Sequence, residues 1–303
     1  KNMKTKTLLI ISLMAMLLAT PVLADTPTET PASQEEASQI VFASNRGGDP
    51  NVLGLYILDM ETMEITPLET GLDVNLLPRW SADKSQVLFS IPEIWNLYIV
   101  DVEDSNLTQL TDFRSNNADW SPDGSQIVFQ SDHDNEPENT PDIYVIGAGG
   151  ENLVELVDEP ETLDFAPRWS PDGSQILFIS DRTGTRELHL MNADGSDPIL
   201  IAETENFESS AAWSPDGEKI AYTAAKGPFA NLYIINKDGS ADSIVQLTSD
   251  NSGKDSPAWS PDGQKIVFHS NSSGNWDLWM INVDGTGLTQ LTDDEFYDAY
   301  PDW

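Results

Sequence analysis

Cysteine is absent from the 303 residues, which removes disulfides, thiolate metal ligands and a cysteine nucleophile at one stroke. Packing has to hold the fold. Basic residues are also scarce: 15 Lys and Arg stand against 51 Asp and Glu, a formal net charge of -36. A surface of that sign repels phosphate backbones and anionic headgroups, so nucleic-acid and membrane-surface binding are excluded as expectations. Cationic partners, metal ions or a salty environment suit it, as does a plain solubilising role. Catalytic signatures are missing too. There is no Gly-x-Ser-x-Gly elbow, no His-Glu-x-x-His and no phosphate loop. The three histidines, His133, His189 and His269, are too scattered to suggest a metal triad or a Ser-His-Asp arrangement.

Long apolar runs are lacking as well, with one exception near the start. "LLIISLMAMLLA" at 8–19 follows Lys4 and Lys6 and precedes Val22-Leu23-Ala24, so residues 1–24 read as a signal peptide. The run is shorter than the roughly 18–20 residues a spanning helix needs. With no cysteine behind it, a lipid anchor is not expected, and the protein should be exported, periplasmic or extracellular, without membrane insertion. Residues 25–38, "DTPTETPASQEEAS", carry Pro, Thr and Glu without periodicity and read as a disordered spacer.

What the chain does contain is a repeat. "WSPDGSQIVFQSD" at 120 returns as "WSPDGSQILFISD" at 169, "WSPDGEKIAYTAA" at 213 and "WSPDGQKIVFHSN" at 259. Six Trp mark the period: Trp80, Trp120, Trp169, Trp213, Trp259 and Trp303, at spacings of 40, 49, 44, 46 and 44 residues. That period matches a four-stranded propeller blade. In each unit a first strand ends at the Trp, and Ser-Pro-Asp-Gly then makes a tight turn: Pro sets φ, Asp bonds back to the backbone and Gly takes the positive φ. A β-branched second strand follows, then a polar loop, a third strand such as "DIYVI" or "DLWMIN", an Asp-Gly turn and a short fourth strand. The last residues, "DAYPDW", are a first strand without its hairpin, and "QIVFASNRGG" at 39–48 is a second strand without its Trp. Together they complete one blade, which closes the ring and removes its edges. The expected fold is an all-β, six-bladed propeller over 39–303, its C-terminal strand joined to the N-terminal blade.

The fullest copy, "PRWSPDGSQILFISDRTG" at 167–184, resembles the repeat of the TolB-like propeller family, a pattern shared with prolyl-oligopeptidase-like propellers. The resemblance spans nearly the whole chain after residue 38, although "WSADKSQVLF" at 80–89 departs from Pro-Asp-Gly. It implies a partner-binding scaffold of the cell envelope. TolB proteins carry a further domain ahead of the propeller, and residues 25–38 are too short to supply one. The hydrolase domain of the peptidases has no counterpart either.

Candidate site residues come from the start of each first strand. Four or five positions before the Trp stand Asn75, Asn116, Asp164, Glu208, Asp255 and Asp298, which would ring one mouth of the channel. Such a ring suits a hard cation or a basic protein or peptide segment; alternatively these side chains cap neighbouring backbone amides. The loop "SDHDNEPENTPD" at 131–142 offers Asp132, Asp134, Glu136 and Glu138 at alternate positions, a partial calcium pattern without the central Gly, or else a solvated acidic loop. The six Trp are expected in the core between blades rather than in an aromatic box, and Trp95, Trp276 and Trp279 in packing. The leading expectation is a non-catalytic, monomeric binding module. The alternatives are a polysaccharide- or peptide-acting enzyme using a channel carboxylate pair, and a propeller whose acids serve calcium or salt adaptation.

Overall fold

The computed structural model describes residues 38–303 except 93, 134–139, 158, 160–161, 202–206 and 226, together with the side chains of 207–209 left aside. The signal-peptide reading and, apart from Ser38, the spacer reading therefore lie outside the described residues. Six four-stranded antiparallel sheets follow one another along the chain. Their innermost strands are Leu76–Trp80, Asn116–Trp120, Asp164–Trp169, Phe207–Trp213, Lys254–Trp259 and Asp298–Asp302. Each inner strand packs on the next, and the last returns to the first, so the sheets are blades around a common axis. The expected six-bladed propeller is the fold.

Closure occurs as the chain ends anticipate. Asp298–Asp302 pairs antiparallel with Gln39–Ser44, which continues through Gly54–Asp59 to Ile65–Leu68. We number this composite blade 1 and the others 2 to 6 along the chain. Asp302 reaches on to blade 2, where its Oδ2 accepts the Trp80 amide at 2.8 Å.

The Trp period is the period of the core. Trp80, Trp120, Trp169, Trp213 and Trp259 are at most 8 % exposed, and each sits in a separate apolar cluster built from its own blade and the one before it. Trp303 packs on the sixth such cluster, between blades 6 and 1, and donates its indole N–H to Ser38. A single blade buries only one face of this wedge, which is why the ring is needed. Trp279 packs on the blade 5–6 cluster, while Trp276 lies half-buried against His269, ring centroids 5.0 Å apart, and Trp95 is half-buried with φ at 52°.

The turn sequence does two jobs. In the Ser-Pro-Asp-Gly copies and in the variant at 81–84, the Asp Oδ1 accepts the preceding Ser hydroxyl and the amide two residues on, as in Ser121–Asp123–Ser125 at 2.7 and 3.0 Å. These bonds hold Asp83, Asp123 and Asp172 ionised, their carboxyls lowered to about 2. Asp194, Asp238 and Asp284 in the second turn are lowered by the same kind of bonds. Part of the acidic excess is thus turn chemistry.

Candidate functional site: mouth and throat of the propeller

Inner strands start at the end where the second strands finish, since Asp164 pairs with Ser180, Lys254 with Ser270 and Asp298 with Ser44. The loops entering the inner strands and those leaving the second strands therefore gather at one mouth. Three residues before the Trp, five inner strands hold a non-glycine residue at positive φ: Leu77, Asn117, Ala166, Ser256 and Tyr300, between 50° and 56°. The same place carries the register shift of each pairing. This bulge breaks the two-residue alternation, so the stretch before it and the stretch after it face differently.

Before the bulge, successive residues point to opposite faces, which divides the six expected ring residues. Asn75, Asp164, Glu208 and Asp298 stand five positions before the Trp, whereas Asn116 and Asp255 stand four before it. Asn75, Asp164 and Asp298 are fully buried. Asn75 Nδ2 donates to the carbonyls of Leu53 and Leu72 at 2.9 and 3.1 Å. The Glu208 side chain lies outside the described residues.

Asp164 and Asp298 are held by a clamp written in the repeat as Phe-x-Ser-x-Arg. Arg182 stacks over Phe178 at 5.2 Å, donates Nε to Ser180 at 2.8 Å and spans both Asp164 oxygens with Nη2 at 3.0 and 3.1 Å. Arg46 repeats this over Phe42, with Nε to Ser44 at 3.0 Å and Nη2 to Asp298 Oδ2 at 2.6 Å. In blade 6, Lys254 occupies the acid's position and pairs with Asp250.

The two residues on the other register are half-buried and reachable. Asp255 Oδ1 accepts the Ser256 amide at 2.7 Å and the Ser210 hydroxyl. Beside it His269 is buried, lowered to about 4 by desolvation against the pull of Asp255, and its Nδ1 accepts the Tyr300 amide at 3.3 Å. His269 is thus neutral at pH 7. His189 is likewise lowered by burial, and His133 stacks on Phe113 in another blade at 4.2 Å. Asn116 lines a cleft of about 100 Å³ with Arg114, Gln130, Ser131, Asp132 and Pro141. Within it Asp132 pairs with Arg114 at 3.0 Å; Asp134 and Glu136, expected beside it as calcium ligands, lie outside the described residues.

One charged group was not anticipated from the sequence. The residue just before the Trp is Asp302, Arg79, Asp119 and Arg168 in blades 1 to 4, then Ala212 and Ala258 in blades 5 and 6. Asp119 feels Arg168, Arg79 and Asp302 together, a mutual reach across four consecutive blades that only a position near the axis allows. Its Oδ2 accepts the Trp169 amide at 2.8 Å, and Arg79 lies 3.8 Å from Asp302. Burial raises the Asp119 carboxyl and lowers the Arg168 guanidinium to about 9. Alternating signs at the throat leave it near neutral, while the mouth is acidic.

A throat of paired charges, clamped inner strands and loops carrying exposed acids define the ring. Comparison with known proteins places this ring. The TolB beta propeller domain model, PD40, matches residues 136–224 and 199–303, and the chain belongs to that family. It is 26% identical over 126 residues to the Tol-Pal system protein TolB of Francisella tularensis, a match spanning 40% of this chain and 27% of that relative. The chain therefore aligns with little more than a quarter of the curated relatives' length. Among solved structures it is similar to TolB from Acinetobacter baumannii, with TM-score 0.74 and 20% identity over 88% of this chain and 66% of that one. It is also similar to an oligogalacturonate lyase in complex with manganese, with TM-score 0.57 and 17% identity over 85% of this chain and 74% of that one. At such identities the likeness to these structures concerns the fold alone.

Proposed function

We propose that the protein is an exported, non-catalytic scaffold whose acidic mouth recognises a basic segment of a protein or peptide partner in the cell envelope. The observation that carries this reading is the charge of the loops around the mouth. Glu69, Asp73, Asp112, Asp293 and Glu295 are exposed there, on the approaches to the inner strands of blades 1, 2 and 3. None of them is used by the clamps beneath. The family supports the class of function, since matched relatives are proteins of the Tol-Pal system. Among the described residues no helix is long and apolar enough to cross a membrane.

Asn116 and Asp255 belong to this binding face; Asn75, Asp164 and Asp298 serve it by fixing the inner strands. The three histidines are spread over separate blades, which favours binding over metal-assisted or Ser-His chemistry. The test is co-purification from the source organism's envelope proteins on the native chain and on a variant carrying Asp73→Asn, Asp112→Asn, Asp293→Asn and Glu295→Gln. A partner held by the native chain, released by salt and lost by the folded variant is expected. A partner retained equally by both refutes the acidic mouth as the recognition surface.

A further inference from the structure

The junction between blades 6 and 1, where the ring closes, contains three carboxylates, none of them among the exposed acids assigned to partner contact. Asp277 begins the third strand of blade 6, Asp298 begins the inner strand of blade 1, and Asp294 lies in the loop between them. Each offers an oxygen, and these oxygens lie within 4.8 Å of one another. Asp277 and Asp298 are 0 % exposed, and each has one buried oxygen, Oδ1, that meets no donor among the described residues. Leaving buried carboxylate oxygens unpaired is costly.

The protein holds the other oxygens in place. Ser273 and Gln290 donate to Asp277 Oδ2, the latter at 2.9 Å, and Arg46 donates to Asp298 Oδ2 at 2.6 Å and reaches Asp294 at 3.3 Å. Each buried carboxylate is thus fixed through one oxygen and open at the other, as supporting bonds leave a metal ligand. The corresponding clamp in blade 4 behaves differently. There Arg182 spans both oxygens of Asp164, and Thr162 adds a third bond at 3.2 Å, so no oxygen is spare. Three carboxylates against the single Arg46 leave an uncompensated double negative charge.

We propose that Asp277, Asp294 and Asp298 bind one divalent cation of the calcium type at the seam, tying the last strand of the chain to the blade before it. Only oxygen is offered, which suits a hard cation. Mg²⁺ demands near-ideal octahedral geometry and gives up its waters reluctantly, whereas Ca²⁺ accepts irregular sets of carboxylate oxygens, two of which are buried here, so the larger ion is the one expected. Asp294, 35 % exposed in its side chain, gives the ion a way in. Its ligands are the buried Asp277 and Asp298 and the half-buried Asp294 rather than the exposed acids that meet the partner, so cation binding does not depend on which partner that surface takes.

The experiment is calorimetric titration of the whole chain with CaCl₂ and with MgCl₂ in about 150 mM salt, where screening within about 8 Å suppresses diffuse counterion binding. Thermal melts accompany it, for the native chain and for Asp277→Asn and Asp294→Asn. One saturable calcium site is expected, weakened about tenfold or more in either variant. Calcium should raise the native melting temperature and leave that of Asp277→Asn nearly unchanged. Without calcium, Asp277→Asn should melt at or above the native temperature, because it removes repulsion; a purely structural Asp277 would make it melt lower. No saturable calcium binding, affinity unchanged in both variants, or Mg²⁺ bound as tightly as Ca²⁺ would overturn the proposal.

Discussion

Trp169 and Trp259 occupy the same position in two wedges of the ring yet differ in one bond. Each is 7 % exposed. The indole N–H of Trp259 donates to the Ala212 carbonyl of the preceding blade at 3.1 Å, whereas that of Trp169 is buried and meets no acceptor among the described residues. Replacing either by Phe removes the same volume, so the cavity terms largely cancel between the two variants. What remains is the N–H. Trp169→Phe discards a buried unpaired donor, regaining part of a penalty of about 1–3 kcal/mol, while Trp259→Phe loses a net bond of about 1 kcal/mol and strands a carbonyl. We expect Trp259→Phe to be less stable than Trp169→Phe by about 2 kcal/mol. At about 2 °C per kcal/mol for a domain of this size, the melting temperatures should differ by about 4 °C. Differential scanning calorimetry with urea titration reads both quantities. Equal melting temperatures, or a lower one for Trp169→Phe, would refute this account of the indole bonds.

Stability should fall in acid in a defined window. The turn aspartates have folded values below the ordinary 3.8, reaching about 2 at Asp83, Asp123 and Asp172. Their contribution is present above about pH 4 and is lost as pH drops toward 2; urea midpoints at pH 7, 4 and 3 would check this, and a midpoint that rises on acidification would contradict it. Arg182→Met should destabilise by about 3–5 kcal/mol, because Asp164 is then a buried charge without its partner. Adding Asp164→Asn should recover most of that loss, and a double variant as unstable as the single one would show that the clamp acts through shape rather than charge.

Much of the architecture is legible in the sequence, because its causes are local. Ser-Pro-Asp-Gly makes a hairpin wherever it occurs, a Trp after a short strand recurs with the blade period, and an unpaired strand at each chain end supplies two halves of one blade. The site was less readable. Asp164 and Asp298 were expected at the mouth but are enclosed by Arg182 and Arg46, although the Ser-x-Arg of the repeat was visible as a signal. Asn116 and Asp255 differ from them by one position, and in a strand one position means the opposite face.

By itself the sequence determined the number of blades, their turns, the Trp wedges and the closing strand, all consequences of short-range backbone chemistry and a fixed period. Only the tertiary structure decided which acids remain free. Asp302, Arg79, Asp119 and Arg168 meet near the axis, and Asp277 comes to face Asp298 beside Arg46, 252 positions away in the chain. Such neighbours exist because the ring closes and a bulge with positive φ turns five of the six inner strands. Neither effect is carried by the residues on either side of the charge.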